Sequence, residues 1–167
     1  ISDLHIPPLP RVSLRQLLGK RILGLISWHY KWKNEHQQSV LDALQTHLAE
    51  IKPDHICITG DITFTTLPAE ADKAADWISQ LGNPQQISLV PGNHDAYVPG
   101  ALNYALEKWS PWIQDDEGRA GFPYLHRRGP VDIVGISSAV ASPPAISLGR
   151  IGQAQLDRTE ALLTSIK

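Results

Sequence analysis

Short apolar segments that each end in a small polar cluster constrain the fold of this chain more than any other feature. The segments cover residues 1–4, 55–59 and 87–90, and stretches with helical periodicity separate them. Strands that alternate with helices are typical of a mainly parallel sheet with crossover helices. The sequence therefore predicts an α/β fold, in which residues 1–4 are the end of a buried strand.

The remaining elements follow from periodicity and from turn residues. Helices are predicted over about residues 34–51, 68–81, 100–109 and 153–166. In the first helix we expect the periodic apolar residues to pack on the core: Val40, Leu44, Leu48 and Ile51. Near the end of the chain, two strand-like segments flank Gly129-Pro130 and predict an antiparallel hairpin: Tyr124 to Arg128 and Val131 to Ser137.

The polar clusters contain the residue types that hold metal ions. They follow the three predicted strands in chain order: Asp3 and His5, then Gly60 and Asp61, then Asn93, His94 and Asp95. Because the carboxyl ends of parallel strands face one crevice, we expect these side chains to meet. Carboxylates packed together without cations would shift their pKa values upward, whereas divalent metals accept mixed oxygen and imidazole ligands. The sequence therefore predicts a metal site.

Charge and cysteine content exclude several other classes of protein. A net charge of −2 argues against a globally basic nucleic-acid binder. The single cysteine, Cys57, excludes an internal disulfide framework and a cysteine-rich zinc module, and we expect it to be a core residue of its strand. No apolar run approaches the ~18 residues of a membrane span. We expect a cytoplasmic protein, with peripheral attachment to a membrane as an alternative.

The three clusters resemble the first three motifs of the calcineurin-like metallophosphoesterase superfamily. Asp3-Leu4-His5, Gly60-Asp61 and Gly92-Asn93-His94-Asp95 occur in the order of those motifs. The resemblance implies the layered α-β-β-α sandwich of that superfamily, present only in part. It also implies a metal-dependent phosphoester hydrolase.

The resemblance assigns roles to six residues. Asp3 and His5 would bind a first metal, Asp61 would bridge two metals, and Asn93 would bind the second. His94 would act on the substrate as a general acid or an electrostatic stabiliser, with Asp95 holding its orientation. The implied cofactors are two divalent metal ions, of which Mn, Fe or Zn suit mixed oxygen and imidazole ligands.

Later motifs of the superfamily, a lone histidine and a Gly-His-x-His, are not found. Only His94 and His126 follow Asn93, and we expect His126 to be a solvated hairpin residue and not a substitute ligand. Residues 1–167 are therefore expected to be the N-terminal portion of a metallophosphoesterase domain, which would not complete a dinuclear site alone.

The motifs favour a phosphodiesterase whose dinuclear centre activates a water molecule. Ile62-Thr63-Phe64 follow Gly60-Asp61 where phosphoprotein phosphatases have Asp-Arg-Gly, which disfavours that subgroup. Asp95 after His94 fits branches that resemble bacterial cyclic-nucleotide phosphodiesterases, lipid A precursor pyrophosphatases and repair exonucleases. The substrate is expected to be a phosphoester of a small molecule or a lipid.

A basic amphipathic segment at about residues 11–33 is the clue to the substrate. It contains six Lys or Arg residues and no Asp or Glu. One hypothesis is that it lies on a membrane surface or binds a lipid-linked pyrophosphate, with its apolar face toward acyl chains and its cations toward headgroups. The candidate contact residues are Arg15, Lys20, Arg21 and Trp28.

Other interpretations of this segment and of the chain stay open. The segment is equally an ordinary surface helix whose apolar residues pack on the core: Leu14, Leu17, Leu18 and Ile22. Nucleic-acid binding through its cations and Trp28 or Trp32 is disfavoured, because the rest of the chain is acidic. A metal-free binding module is disfavoured because a structural role does not require the six polar residues together.

Overall fold

The structure is a computed structural model that describes residues 1–7, 19–30, 35–144 and 146–166. It contains five α-helices within those residues: α1 (Lys20–Tyr30), α2 (Gln38–Ile51), α3 (Pro68–Ser79), α4 (Ala101–Lys108) and α5 (Gln153–Ser165). Its four strands are β1 (Ile56–Ile58), β2 (Ile87–Leu89), β3 (Tyr124–Arg128) and β4 (Val131–Gly135). The predicted α/β class is confirmed.

The parallel part of the fold is built around β1. Strand β1 pairs with β2, with Ile56 opposite Ile87. On its other side, residues 1–6 run along β1 and the loop after it, through hydrogen bonds such as that from the Thr59 amide to the Ile1 carbonyl (2.9 Å). These residues do not form the predicted buried strand, because Asp3 has a φ of 56°, which breaks the extended conformation, and residues 1–3 are exposed.

The antiparallel part is the predicted hairpin. Strands β3 and β4 pair in register from Tyr124 opposite Gly135 to Arg128 opposite Val131. The turn between them lies at Gly129-Pro130, where Gly129 has a φ of 60°. The hairpin prediction is therefore confirmed.

The hydrophobic core lies between the parallel pair, α3, α4 and the turn after α4. Ile58 and Leu89 are buried, and so are Ala71 and Ile78 of α3 and Trp109 after α4. Between Ile56 and Ile58, Cys57 is exposed. The prediction that Cys57 is a core residue is wrong, because successive side chains of a strand point to opposite faces and the two isoleucines occupy the core face.

Helix α2 contacts the core with only part of the predicted set of apolar residues. Leu41 is buried and Leu44 and Leu48 are partly buried, so the packed face has the spacing i, i+3, i+7. Val40 and Ile51 are exposed, and their predicted packing is wrong. The helical period alone allowed either face.

Helix α1 turns most of its apolar residues outward. Gly24 and Trp28 are buried, whereas Ile22, Leu23 and Ile26 are each 44–53% exposed. The predicted packing of Ile22 on the core is therefore wrong. The other residues named for that packing lie outside the described residues: Leu14, Leu17 and Leu18.

Candidate metal centre

Two imidazoles of the site are oriented by neighbouring carbonyl oxygens of one loop. The His5 Nδ1 atom lies 3.0 Å from the Thr63 carbonyl oxygen, and the His94 Nδ1 atom lies 2.8 Å from that of Phe64. Because a carbonyl only accepts hydrogen bonds, each Nδ1 carries the proton. Each Nε2 then keeps its lone pair, which is the arrangement by which a second hydrogen bond prepares a histidine to bind a metal.

These imidazoles meet a carboxylate. The ligand atoms of His5, Asp61 and His94 all lie within 4.8 Å of one another. The Asp61 carboxylate is fixed by a hydrogen bond from the His94 amide to Oδ1 (2.8 Å). A donor set of two imidazole nitrogens and a carboxylate oxygen fits Zn, Mn or Fe. The chemistry of the site therefore fits the divalent metal that the sequence predicts.

The backbone around Asp61 leaves no room for another side chain. A Cβ atom on Gly92 would lie 2.2 Å from the Asp61 Oδ1 atom. The two glycine-containing motifs therefore pack directly against each other, which brings His94 next to Asp61. This contact explains why the third motif begins with glycine.

Asp3 and Asn93 share a cleft with Asp61. The three residues line one cleft of about 340 Å³, together with parts of the 136–139 and 147–149 loops. Asp61 thus belongs both to the group that contains the imidazoles and to the cleft that contains Asp3 and Asn93. A larger cleft of about 820 Å³, lined in part by Phe122 and Arg158, contains none of the predicted site residues.

Positive φ values mark the same region. Five of the described residues other than glycine have a positive φ. Four of these lie in the site or in the loop after Asp61: Asp3 (56°), His5 (38°), Asp61 (52°) and Thr66 (52°). Such conformations cost about 1–3 kcal/mol each and persist only where the surroundings impose them. Here, strain coincides with three of the predicted metal ligands.

Electrostatics keep His5 neutral. Burial, followed by the charge of the neighbouring His94, lowers the pKa of His5 to about 4. The hydrogen bond to Thr63 and the charge of Asp61 oppose this shift. At neutral pH the ring is therefore in the uncharged form that ligates metals.

Asp95 acts on the loop after Asp61 and not directly on the His94 ring. Its buried carboxylate accepts hydrogen bonds from the amides of Ile62 (3.1 Å), Thr63 (2.8 Å) and Gly92 (2.9 Å), and from the Thr63 hydroxyl. Burial raises the pKa of Asp95 to about 6, against these donors, which favour the ionised form. The predicted orienting role is corrected in this respect: the partner of His94 Nδ1 is the Phe64 carbonyl.

His36 is a site residue that sequence reasoning missed. Its ring centroid lies 4.8 Å from that of His5, and the Trp28 ring stacks on it at 6.1 Å with an interplanar angle of 15°. Burial lowers the pKa of His36, and the charges of Glu35 and Asp3 oppose the shift. The only signal in the sequence was its position directly after the basic, aromatic segment.

The residues predicted to contact the substrate make contacts within the protein instead, where the structure describes them. Lys20 donates to the Ser142 carbonyl (3.0 Å) and lies over the Tyr97 ring at 4.4 Å. Arg21 donates to the carbonyls of Thr65 and Thr66, and Trp28 is buried. Arg15 lies outside the described residues.

His126 does not belong to the group of candidate metal ligands that the described residues form. It is buried, and its ring nitrogens contact the Ser88 hydroxyl (2.6 Å) and the Gln114 carbonyl (2.5 Å). The expectation of a solvated hairpin residue is wrong, because Tyr124 and His126 face inward at alternate positions of β3.

A scan against protein families matches the chain to the calcineurin-like phosphoesterase family over residues 1–156. The chain belongs to the calcineurin-like phosphoesterase family. Membership makes the protein a metal-dependent phosphoester hydrolase, in agreement with the donor set of His5, Asp61 and His94. Among curated proteins, none matches the sequence.

Within the part of the chain that the structure describes, no helix has both the length and the hydropathy needed to cross a membrane.

Proposed function

We propose that this calcineurin-like phosphoesterase hydrolyses phosphodiesters at a centre of two divalent metals. The proposal depends on the position of Asp61. This residue lies next to the two imidazoles and also lines the cleft that contains Asp3 and Asn93. A carboxylate has two oxygens and can serve both sides. We assign Asp3 and His5 to one metal, Asn93 to the other, and Asp61 to both.

The divalent ions, when bound, supply Lewis-acid polarisation of the phosphoryl oxygens and neutralise developing charge. The chain supplies orientation. The Asp95 carboxylate holds the loop through the Thr63 amide, and the Thr63 carbonyl of that loop orients His5. The His94 amide fixes the Asp61 carboxylate. The ligand geometry is thus set before any substrate enters, which reduces the reorganisation that the reaction requires.

We assign proton donation to His94. Because the Nδ1 proton is donated to the Phe64 carbonyl, Nε2 is the ring position that exchanges a proton with the substrate. As the acid, the doubly protonated ring gives its Nε2 proton to the leaving oxygen and becomes the neutral ring that keeps the Nδ1 proton. The ring centroids of His94 and His5 are 4.7 Å apart, so the donor lies at the edge of the ligand set.

Diester specificity is supported by the residues after Asp61. Ile62 and Phe64 are buried apolar residues in the segment where phosphoprotein phosphatases have Asp-Arg-Gly. Without an arginine there, the site has one positive charge fewer. A monoester dianion needs that charge more than a diester monoanion does, so the diester is favoured.

The proposal is tested with Mn²⁺-loaded protein on bis(p-nitrophenyl) phosphate and p-nitrophenyl phosphate. We expect faster hydrolysis of the diester, and we expect Asp61→Asn to lose both turnover and retained metal, because one bridging charge is removed. Asp42→Asn, on the exposed face of α2, is the matched control and should behave as the wild type. Unchanged turnover in Asp61→Asn would remove its bridging role, and a monoester preference would overturn the substrate class.

A second candidate, a lipid-linked phosphoester at a membrane surface, is favoured by the outer face of α1. Ile22, Leu23 and Ile26 lie on that face, and Tyr30 is 85% exposed. The surrounding residues 11–33 carry six basic and no acidic side chains, which complements an anionic lipid surface. Trp28 on the inner face contacts His36, so a lipid bound at α1 would lie close to the site.

Vesicle flotation tests this candidate. We expect binding to vesicles that contain phosphatidylglycerol and weaker binding to phosphatidylcholine alone. Replacing Leu23 and Ile26 with serine should reduce binding, whereas Val40→Ser, at an exposed apolar position of α2, should not. Absence of flotation with anionic vesicles would overturn the candidate.

A further inference from the structure

Four consecutive carbonyl oxygens of the loop after Asp61 are shared between the metal centre and helix α1. Those of Thr63 and Phe64 accept from His5 and His94. Those of Thr65 and Thr66 accept from one side chain, Arg21 of α1, at 3.1 Å from Nε and 2.8 Å from Nη2. The Arg21 guanidinium therefore binds the second pair of carbonyls, and the adjoining first pair orients both imidazoles.

The amides of the same loop are bound by two buried carboxylates. Asp95 accepts from Ile62 and Thr63. Glu70, at the start of α3, accepts from Phe64 (3.0 Å), Thr65 and Leu67 (2.8 Å). Amide donors thus fix one edge of the loop from inside the core, and α1 provides the contacts to its last two carbonyls.

The approach of α1 to the loop is close along its whole buried face. A Cβ on Gly24 would lie 2.8 Å from both the Thr65 Cγ2 atom and the Tyr97 hydroxyl oxygen. One turn further, Trp28 packs edge-on against Phe64 with ring centroids 5.0 Å apart. Arg21, Gly24 and Trp28 have the spacing i, i+3, i+7, so one helical face makes all three contacts.

The end of the loop is strained, and Arg21 helps to hold it. Thr66 has a φ of 52°, a left-handed conformation that is unfavourable for a β-branched residue. Its hydroxyl donates to the His94 carbonyl (2.5 Å) and its own carbonyl accepts from Arg21. Removing the guanidinium would let the Thr66 backbone relax. Because the Thr66 hydroxyl is hydrogen-bonded to the His94 carbonyl, the His94 backbone would shift with it.

We propose that Arg21 is a positioning residue of the metal centre, which sets the orientation of His5 and His94 through the Thr63–Thr66 carbonyls. The inference rests on the proposed function in that both imidazoles face the metals. It replaces the predicted substrate contact of Arg21 with a structural link. It also makes the docking of α1 a determinant of metal affinity.

The test is a titration of the metal-free protein with Mn²⁺ by calorimetry. We expect Arg21→Gln to weaken binding by about 10-fold to 100-fold, the usual effect of losing a group that orients a ligand. Arg21→Lys should restore part of the affinity, because an ammonium reaches one carbonyl but does not span two. Arg119→Gln makes the same charge change at an exposed guanidinium that binds Asp115 and Glu117, and should leave affinity unchanged.

A second readout needs no metal. Long-range ¹H–¹⁵N correlation spectra of the histidine rings report the tautomer, and the wild type should show His5 and His94 protonated at Nδ1. Arg21→Gln should lower those populations. Wild-type affinity together with wild-type tautomers in Arg21→Gln would overturn the inference.

The two proposals fail in different ways. If the wild type binds no Mn²⁺, the proposed function fails, while the ring tautomers still decide the role of Arg21. If Arg21→Gln does not fold, Gly24→Ala takes its place, because the added methyl group pushes α1 from Thr65 while Arg21 remains. Unchanged tautomers and Mn²⁺ affinity in a folded Gly24→Ala protein would contradict the link between α1 and the site.

Discussion

At the scale of single residues, hydrogen-bond partners decide what each imidazole of this phosphoesterase can do. His5 and His94 both donate from Nδ1 to carbonyls, so their Nε2 atoms face the ligand set. The geometry therefore allows His94 to act either as a metal ligand or as a general acid. The two roles differ in whether the metal depends on the ring.

Replacing His94 with alanine separates these roles. We expect diester turnover to fall by about 10²–10⁴-fold, the usual loss for an acid–base group, with metal content unchanged. Metal content is measured on the desalted protein beside the rate. A joint loss of metal and activity would show that His94 is a ligand, and an unchanged rate would remove it from the reaction.

At the scale of elements, a few side chains join segments that have little surface of their own. The parallel pair β1–β2 is only three residues long, and the helices must supply most of the core. Trp109 is fully buried at the end of α4, and its indole Nε1 donates to the Ala71 carbonyl of α3 (3.1 Å). It therefore stabilises the α3–α4 contact through both packing and a hydrogen bond.

Trp109→Ala should lower the free energy of unfolding by about 3–5 kcal/mol, because a large cavity remains and the Ala71 carbonyl loses its donor. Urea unfolding measures the change. Tyr30→Ala, at an exposed aromatic position, should shift the same quantity by less than about 0.5 kcal/mol. A loss below 1 kcal/mol for Trp109→Ala, taken as about the value of one hydrogen bond, would contradict the packing role.

At the scale of the whole molecule, a chain of hydrogen bonds joins the parallel pair to the hairpin. The Gln114 carbonyl accepts from His126 Nε2, so His126 Nδ1 accepts from Ser88, and the Ser88 oxygen accepts from His55 Nε2 (2.7 Å). In the neutral ring, His55 Nδ1 then carries no proton, and this atom is buried with no hydrogen-bond partner among the described residues.

This arrangement predicts a loss of stability in acid. Burial first, and then the charges of Arg128 and His126, lower the pKa of His55, while Asp116 opposes the shift. The unfolded chain therefore binds this proton more readily, and the contribution of neutral His55 to stability is present above pH 6.5 and is lost as the pH falls below it.

The measurement is urea unfolding at pH 7.5 and 5.5 for the wild type and His55→Gln, whose side-chain amide still donates to Ser88. We expect the wild type to lose more unfolding free energy than the variant between the two pH values. Other groups, including Asp95, titrate in both proteins and cancel in the comparison. Equal losses would show that His55 does not contribute.

The sequence by itself determined the order of the elements, the α/β class, the hairpin and the residue types of the site. These depend on local patterns: alternation, helical period, turn residues, and polar clusters that follow apolar segments. Adjacent strand ends bring such clusters together in a parallel sheet, so the meeting of Asp61 and His94 was predictable from the order alone. His5 joins them as predicted, although residues 1–6 form no strand.

Only the tertiary structure decided where the ambiguous side chains lie. His126 is buried, Cys57 is exposed, Arg21 holds a loop 44 residues away, and His36 reaches His5. The physical reason is that a local pattern specifies which residues share a face, whereas the neighbour that covers this face comes from a distant part of the chain. Burial, hydrogen-bond partners and pKa shifts all depend on that neighbour.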